Sequence, residues 1–247
     1  MRYALLVRED GNTRIVKIED IAGKKTSIKR IGTLAFPDEL VWGEETTTEE
    51  GKRVRIVKPT LEDFILFGFK RHTQIIYPKD SFYITLKLGV TKGTKVLEIG
   101  TGTGALTSVL AYVGAEVYTI EKRPEFIKIA KRNLSLLDLA DRVDFICQEV
   151  TNKWVPPATF PAVFVDVREP WLIIEGICAS VVQGGIVGFL LPTTNQVSEL
   201  LHALEEHGFY RIEVKECLQR DYKTVPARLR PQDVGMPFTG FLIFAHR

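Results

Sequence analysis

Residues 96–104 read Val96-Leu97-Glu98-Ile99-Gly100-Thr101-Gly102-Thr103-Gly104, an apolar run carrying one acid that passes into glycines at alternate positions. Such a run predicts a strand that ends in a sharp turn, with a helix opening at Ala105 and Leu106. Glycine has no Cβ and tolerates positive φ, so the backbone at Gly100, Gly102 and Gly104 can approach a ligand closely. A flat, polar or charged ligand is the expected occupant.

The glycine spacing serves two ligand classes, because Gly100, Gly102 and Ala105 also satisfy the dinucleotide pattern at a strand-to-helix turn. Charge separates them. A pyrophosphate favours a positive helix end with little negative charge nearby. Glu98 suits a ligand with a cationic ammonium or sulfonium, and S-adenosylmethionine (SAM) carries both. Glu121 closes the next apolar run, Glu116–Ile120, where a carboxylate can accept both ribose hydroxyls; that position fits NAD and SAM equally. Glu149 follows the stretch Val143–Ile146, a position from which it can meet an adenine edge. The bland alternative for the whole constellation is a tight packing turn.

The 247 residues, 45% of them hydrophobic, are enough to bury a core in one large domain or in a large plus a small one. The 33 basic and 31 acidic residues nearly cancel, so any surface for nucleic acid must be local. Cys147, Cys178 and Cys217 are odd in number, far apart and without a C-x-x-C, and are expected as buried thiols in a reducing cytosol, with no metal site. The stretch Met1–Glu9 lacks the apolar core of a signal peptide, and no apolar run reaches the ~20 residues of a membrane span. The expectation is a cytoplasmic protein with no membrane contact.

Short alternating runs at Tyr3–Val7, Thr13–Ile18, Ser27–Thr33 and Arg53–Val57, broken by glycines, predict a small β-barrel-like domain over residues 1–58. Thr60 followed by Asp63 predicts a capped helix ending at Gly68, inside a linker of helix and loop over 59–78. From residue 79 to 247, strands near 95–100, 115–120, 142–147, 161–166 and 185–191 alternate with helices near 104–112, 124–138, 171–182 and 195–206. That alternation is the pattern of an α/β Rossmann-like parallel sheet, whose ligands gather at the carboxyl ends of the strands. Runs at Tyr210–Glu216 and Phe238–Ala245 predict a closing antiparallel pair, which favours a methyltransferase-type sheet over a dehydrogenase.

Four further segments carry chemistry. Ala162–Val165 delivers Asp166 to the ligand edge, where a carboxylate can hold an exocyclic amine and accept its proton; the alternative is a cap for the helix beginning near Pro170 and Trp171. Lys70–Asp80 sets three basic residues beside Gln74 and Tyr77, a pattern that meets phosphate at one end and a base or cofactor at the other, or is simply solvated. Thr193, Asn195 and Gln196 cap a helix and can line a pocket as well. Arg220–Pro231, with Tyr222, Arg228 and Arg230, is a basic loop stiffened by two prolines and suits a phosphate backbone, although a lone basic loop is more often plain surface.

These segments, in this order, resemble the tRNA (adenine-N1)-methyltransferases that modify the T-loop adenosine at tRNA position 58. The likeness rests on the blocks Arg71–Asp80, Glu98–Gly104, Asp166–Trp171, Pro192–Gln196 and Tyr222–Pro231, among which Gln-Ile-Ile-Tyr-Pro-Lys-Asp and Leu-Arg-Pro are far more specific than the glycines. It implies a class I SAM-dependent fold with a small N-terminal β domain, a homotetramer, and tRNA as partner. Carried onto matching positions, it implies Asp166 facing the target adenine and Tyr77 lining the pocket. It also implies S-adenosyl-L-methionine held by Gln74, Glu98, Gly100, Thr101, Gly102, Thr103, Gly104, Ala105, Leu106, Glu121, Lys122, Glu149, Val150 and Asp166. Substrate contacts fall to Arg71, Lys79, Trp171, Thr193, Asn195, Gln196, Tyr222, Arg228 and Arg230. Two departures stand out: Glu149 where the family commonly has aspartate, and Val234–Gly240 where the family often has a histidine. The rival classes are an NAD-dependent oxidoreductase and a catalytically silent tRNA-binding subunit; a silent paralogue would be expected to lose the glycines, Glu98 and Asp166.

Overall fold

Strand alternation sends Val96 and Leu97 to opposite sides of one sheet, and two apolar cores grow from that alternation. The computed structural model describes residues 2–156, 158–233 and 238–247, and the chain divides into two units, Met1–Lys70 and Arg71–Arg247.

The first unit contains β1 (Tyr3–Arg8), β2 (Thr13–Lys17), a short helix α1 (Ile18–Ile21), β3 (Lys25–Ile28), β4 (Gly32–Ala35), β5 (Glu45–Thr47) and β6 (Arg53–Val57). An antiparallel sheet runs in the order β2-β1-β6-β5, and β3 and β4 form a separate hairpin. Ala4, Leu6, Val54 and Ile56 fill its core. The single run expected over Ser27–Thr33 is instead two strands, because the turn between them passes through Arg30 at φ 71. Thr60 and Asp63 form the expected capping box, in which Thr60 N donates to Asp63 Oδ2 at 2.8 Å and Asp63 N donates to Thr60 Oγ1 at 3.2 Å. The capped turn α2 (Leu61–Asp63) runs on into a π-helical turn, Phe64–Gly68, and belongs to this first unit.

The second unit begins with α3 (Pro78–Lys87), a helix that the sequence reading passed over although Pro78 stands at its first position, where the missing N–H costs nothing. Then follow β7 (Lys95–Ile99), α4 (Ala105–Tyr112), β8 (Glu116–Glu121), α5 (Pro124–Ser135), β9 (Val143–Cys147), β10 (Phe160–Val165), α6 (Ile174–Ser180), β11 (Val181–Leu191), α7 (Thr194–Glu206), β12 (Tyr210–Lys215), β13 (Tyr222–Lys223), β14 (Arg230–Pro231) and β15 (Phe241–His246). The helix expected over 171–182 is a 3-10 turn, Pro170–Ile173, followed by α6, and β11 starts where helix was expected to continue.

The sheet order is β12-β15-β11-β10-β7-β8-β9. The strands from β9 to β11 are parallel, and β15 runs against both of its neighbours, so the closing antiparallel arrangement is made by one reversed strand between β11 and β12. Chain order reverses at β7, with β8 and β9 on one side and β10 and β11 on the other. Ligand clefts open at such a switch point, above the carboxyl ends of the strands. One face of the sheet buries Leu97, Val163 and Phe189 against α6 and α7, and the other buries Val96, Phe164 and Phe244 against α3 and α4.

Phe164 is fully buried on β10, and a Cβ on Gly188 of β11 would come within 2.9 Å of its ring and of Phe244. The two rings therefore fill the space that a strand glycine leaves. Phe164→Ala is expected to cost about 3–5 kcal/mol of unfolding free energy, measured by urea denaturation.

Candidate active site

The glycine loop after β7 is built from within. Glu98 shares the face of Val96 and is only 1% exposed, so its carboxylate needs internal partners. Thr107 Oγ1 of α4 donates to Glu98 Oε2 at 2.5 Å, and Thr119 Oγ1 of β8 donates to the same oxygen at 2.7 Å. The hydroxyl chain continues to Thr101 at 2.6 Å. Burial pushes the Glu98 carboxyl up to about 7, against the opposing pull of the two hydroxyls. Expected beside a cation on the ligand, Glu98 lies beneath the loop instead and ties β7, β8 and α4 together.

The glycines divide by task. A Cβ at Gly100 would lie 2.2 Å from the Asp166 carbonyl oxygen, and one at Gly104, where φ is 80, would lie 3.0 Å from Ala130 Cβ, so the backbone and its packing favour glycine at both. Gly102 meets nothing within 4 Å and leaves open space beside the loop. Thr101, Thr103, Gly104, Ala105 and Leu106, expected along the ligand, are buried in the protein; the carbonyl of Thr103, for example, accepts from Asn133 Nδ2 at 2.9 Å. Tight seating of the first turn of α4 leaves Gly100 and Gly102 as the accessible part of the loop.

A cleft of about 410 Å³ opens at the strand ends, with Gly100, Glu121, Glu149, Val150 and Asp166 in its wall. The chain reversal thus gathers four of the sequence-predicted acid and loop segments into one place. Glu121 is 5% exposed and held at both oxygens: Gly102 N donates to Oε2 at 3.2 Å, and Arg123 donates to Oε1 from its backbone N and from Nε, both at 3.1 Å. The Arg123 guanidinium stacks 3.8 Å from the Phe126 ring centre. Sequence reading missed Arg123, although a basic residue two places after a strand-end acid was visible. Lys122 pairs with Glu149 at 3.3 Å across the ends of β8 and β9.

Asp166 follows β10 and faces the cleft, with no ion pair among the described residues. Asp166 is exposed and reaches solvent through the cleft. Desolvation, reinforced by the Glu121 charge, pushes its carboxyl up to about 6. The helix-capping alternative is not what forms, since the turn Pro170–Ile173 has no side-chain cap.

Other expected contacts land elsewhere. Lys79 is drawn inward to Asp80, Cys217 and Thr239 and does not stand on the surface as a phosphate contact. Trp171 packs half-buried against the core, and the neighbouring Leu172 and Ile173 take its place in the cleft wall. Thr193 caps α7, and Gln196 Nε2 donates to the Arg168 carbonyl at 2.9 Å, so both hold the cleft rim rather than line it; Asn195 is exposed beside them. Gln74 and Arg71 are exposed, and Tyr77 is half-buried at the start of α3; none of the three lines the cleft. Tyr222, Arg228 and Arg230 stand exposed on the hairpin of β13 and β14, where a plain loop was expected. The departure at Val234–Gly240 falls largely on residues 234–237, which lie outside the described residues. Cys147 is exposed rather than buried, and Cys178 and Cys217 are half-buried free thiols. Among the described residues no cluster of three His, Cys, Asp or Glu could hold a metal, and no helix is long and apolar enough to cross a membrane.

A mixed sheet with one reversed strand, a glycine loop at the switch point and acids at the ends of successive strands define a class I SAM-dependent methyltransferase fold. The sequence matches the family described as "tRNA methyltransferase complex GCD14 subunit" over residues 52–245, and the chain belongs to that family. It is 41% identical to the crystal structure of tRNA (m1A58) methyltransferase TrmI from Aquifex aeolicus, at a TM-score of 0.85, covering 99% of this chain and 96% of that one. A Thermotoga maritima structure described as a SAM-dependent O-methyltransferase is 38% identical at a TM-score of 0.90, covering 99% of this chain and 92% of that one. A tRNA (adenine(58)-N(1))-methyltransferase TrmI of Thermus thermophilus is 30% identical over 208 residues, 83% of this chain and 81% of that protein.

Glu98 yields a stability prediction with a definite sign. Its folded pKa near 7 lies above the ordinary carboxylate value, so the folded protein keeps a proton that the unfolded chain releases. Stability therefore declines as pH rises from about 4.5 to 7. Urea unfolding at pH 5 and pH 8 is expected to show a loss that Glu98→Gln reduces by on the order of 1–3 kcal/mol.

Proposed function

We propose that the protein transfers a methyl group from S-adenosyl-L-methionine to N1 of adenosine 58 in the tRNA T-loop, acting in the cytoplasm as a homotetramer. The single observation that carries this reading is Asp166, a strand-end carboxylate with no ion pair among the described residues, facing the same cleft as the glycine loop and the clamped Glu121. The names of the Aquifex and Thermus relatives support the acceptor, and the exposed basic hairpin supports a polyanionic partner. The tetramer is supported by the unpaired outer edge of β12, which exposes Tyr210 and Val214.

The residues fit the donor. Glu121 is fixed with a carboxylate that can accept ribose hydroxyls, Glu149 and Val150 line the cleft on the side where an adenine ring would lie, and Gly102 has open space beside the loop. The donor supplies an electrophilic methyl group on a sulfonium. Adenine N1 carries a lone pair at neutral pH and needs alignment, not deprotonation. Once methylated the base is cationic, and Asp166 stabilises that charge or takes a proton from N6. N1 lies on the Watson–Crick edge, so the base must leave its stack at a cost of a few kcal/mol.

The Thermotoga description names an oxygen acceptor, and one experiment separates the two readings. Incubation with SAM and an unmodified tRNA transcript is expected to yield N1-methyladenosine at position 58 by mass spectrometry; no methyl group, or one on a ribose oxygen, refutes the assignment. Asp166→Ala is expected to keep SAM affinity within a few fold and to lose most turnover, and wild-type kcat should fall as pH drops below about 6. Replacing Arg228 and Arg230 together with alanine is expected to weaken tRNA binding and to lower its salt slope by about 2.

A further inference from the structure

In the specific block Gln74–Asp80, the last two residues, Lys79 and Asp80, are engaged away from the cleft. Lys79 Nζ donates to Asp80 Oδ1 at 2.8 Å, to the Cys217 carbonyl at 2.7 Å and to Thr239 Oγ1 at 2.6 Å. An ammonium has three N–H bonds, so its donor capacity is spent. Thr239 Oγ1 in turn donates to Asp80 Oδ2 at 2.6 Å. Asp80 is 1% exposed and anchored in α3, so this small network is fixed to the core of the unit.

Its acceptors lie on either side of one surface segment. Cys217 precedes, and Thr239 follows, the stretch that carries the hairpin of β13 and β14 with Tyr222, Arg228 and Arg230. Within that stretch the hairpin is held by its own short ladder, by the Gln232 N to Asp221 carbonyl bond at 2.9 Å, and by the Lys223–Asp233 ion pair. Tyr222, Val225 and Leu229 are exposed, as are Arg228 and Arg230, so little packing against the sheet orients the hairpin. Its roots meet at the start of α3, where Lys79 holds the Cys217 carbonyl and Lys79 and Asp80 together hold Thr239.

We propose that Lys79, Asp80 and Thr239 form a staple that positions the basic hairpin for tRNA, so that Lys79 governs RNA binding without touching RNA. This rests on the tRNA reading of the cleft and hairpin. Lys79 is thereby a positioning residue. Asp80 is buried and Lys79 largely covered, and such a pair is costly to separate, because removal of the lysine strands a buried carboxylate. Thr239 is the neutral member of the network, and its hydroxyl both accepts from Lys79 and donates to Asp80.

The test compares Lys79→Met, Thr239→Val and Thr239→Ser with the wild type, by steady-state methylation of a tRNA transcript and by calorimetric SAM binding. Lys79→Met and Thr239→Val are each expected to raise the tRNA KM about tenfold, with kcat and SAM affinity within twofold. Thr239→Ser keeps the hydroxyl and should match the wild type. Thr239→Val removes no charge, yet should flatten the salt dependence of tRNA binding as the loss of Arg228 and Arg230 does. Wild-type tRNA binding by Thr239→Val overturns the staple, and if Lys79→Met alone is weakened, Lys79 meets phosphate directly. Should Lys79→Met fail to bind SAM and unfold, the valine and serine pair at Thr239 decides alone. A wild-type protein that methylates no tRNA defeats the functional reading instead, before any variant is compared.

Discussion

A carboxylate cannot lie bare inside a protein, and the catalytic unit is organised around the one that comes nearest to doing so. Glu98 is enclosed among β7, β8 and α4, and two threonine hydroxyls, one from α4 and one from β8, converge on a single oxygen of it. Those bonds fix the start of the helix against two adjacent strands, and the glycine loop between strand and helix inherits its path. The path brings the Gly102 N–H to Glu121, which makes the acid at the end of β8 part of the same construction. Displacing any of these groups would strand a buried polar atom, so the loop has one arrangement rather than several.

Charge on the cleft rim follows a division of labour. Glu121 is paired with Arg123 and Glu149 with Lys122, and both pairs join residues at strand ends. Asp166 stands in the same wall with no ion pair among the described residues, and its proton affinity is raised by its surroundings. A paired carboxylate is a fixed acceptor suited to holding hydroxyls. One with a raised pKa and no paired cation can exchange a proton near neutrality.

Away from the cleft, the dense motif at Tyr77–Asp80 and the basic segment after Cys217 belong together. Lys79 sits at the start of α3 and its acceptors come from residues far along the chain. The motif's specificity therefore reflects an internal junction as much as any ligand. Such a junction explains how a hairpin with few buried residues keeps a defined direction.

The sequence alone determined the parts governed by local rules. Strand periods, the turn at Gly100–Gly104, the Thr60–Asp63 capping box and the acids closing successive strands were legible, because alternation, capping and turn chemistry depend on residues close along the chain. It also held an unused signal: Glu98 shares the parity of Val96, which places it on the covered face. Tertiary structure alone decided which of those residues meet. Only the assembled sheet shows that β15 is the single reversed strand, that Gly100 is favoured by the Asp166 carbonyl and Gly104 by Ala130, and that Trp171 turns to the core while Leu172 and Ile173 face the cleft. Lys79 is the clearest case: on paper it is a lysine in a basic stretch beside Asp80, and its other two partners, Cys217 and Thr239, become neighbours only when α3 and the C-terminal segment pack together. Hydrogen-bond capacity is assigned by proximity in space, which spacing along a chain does not encode.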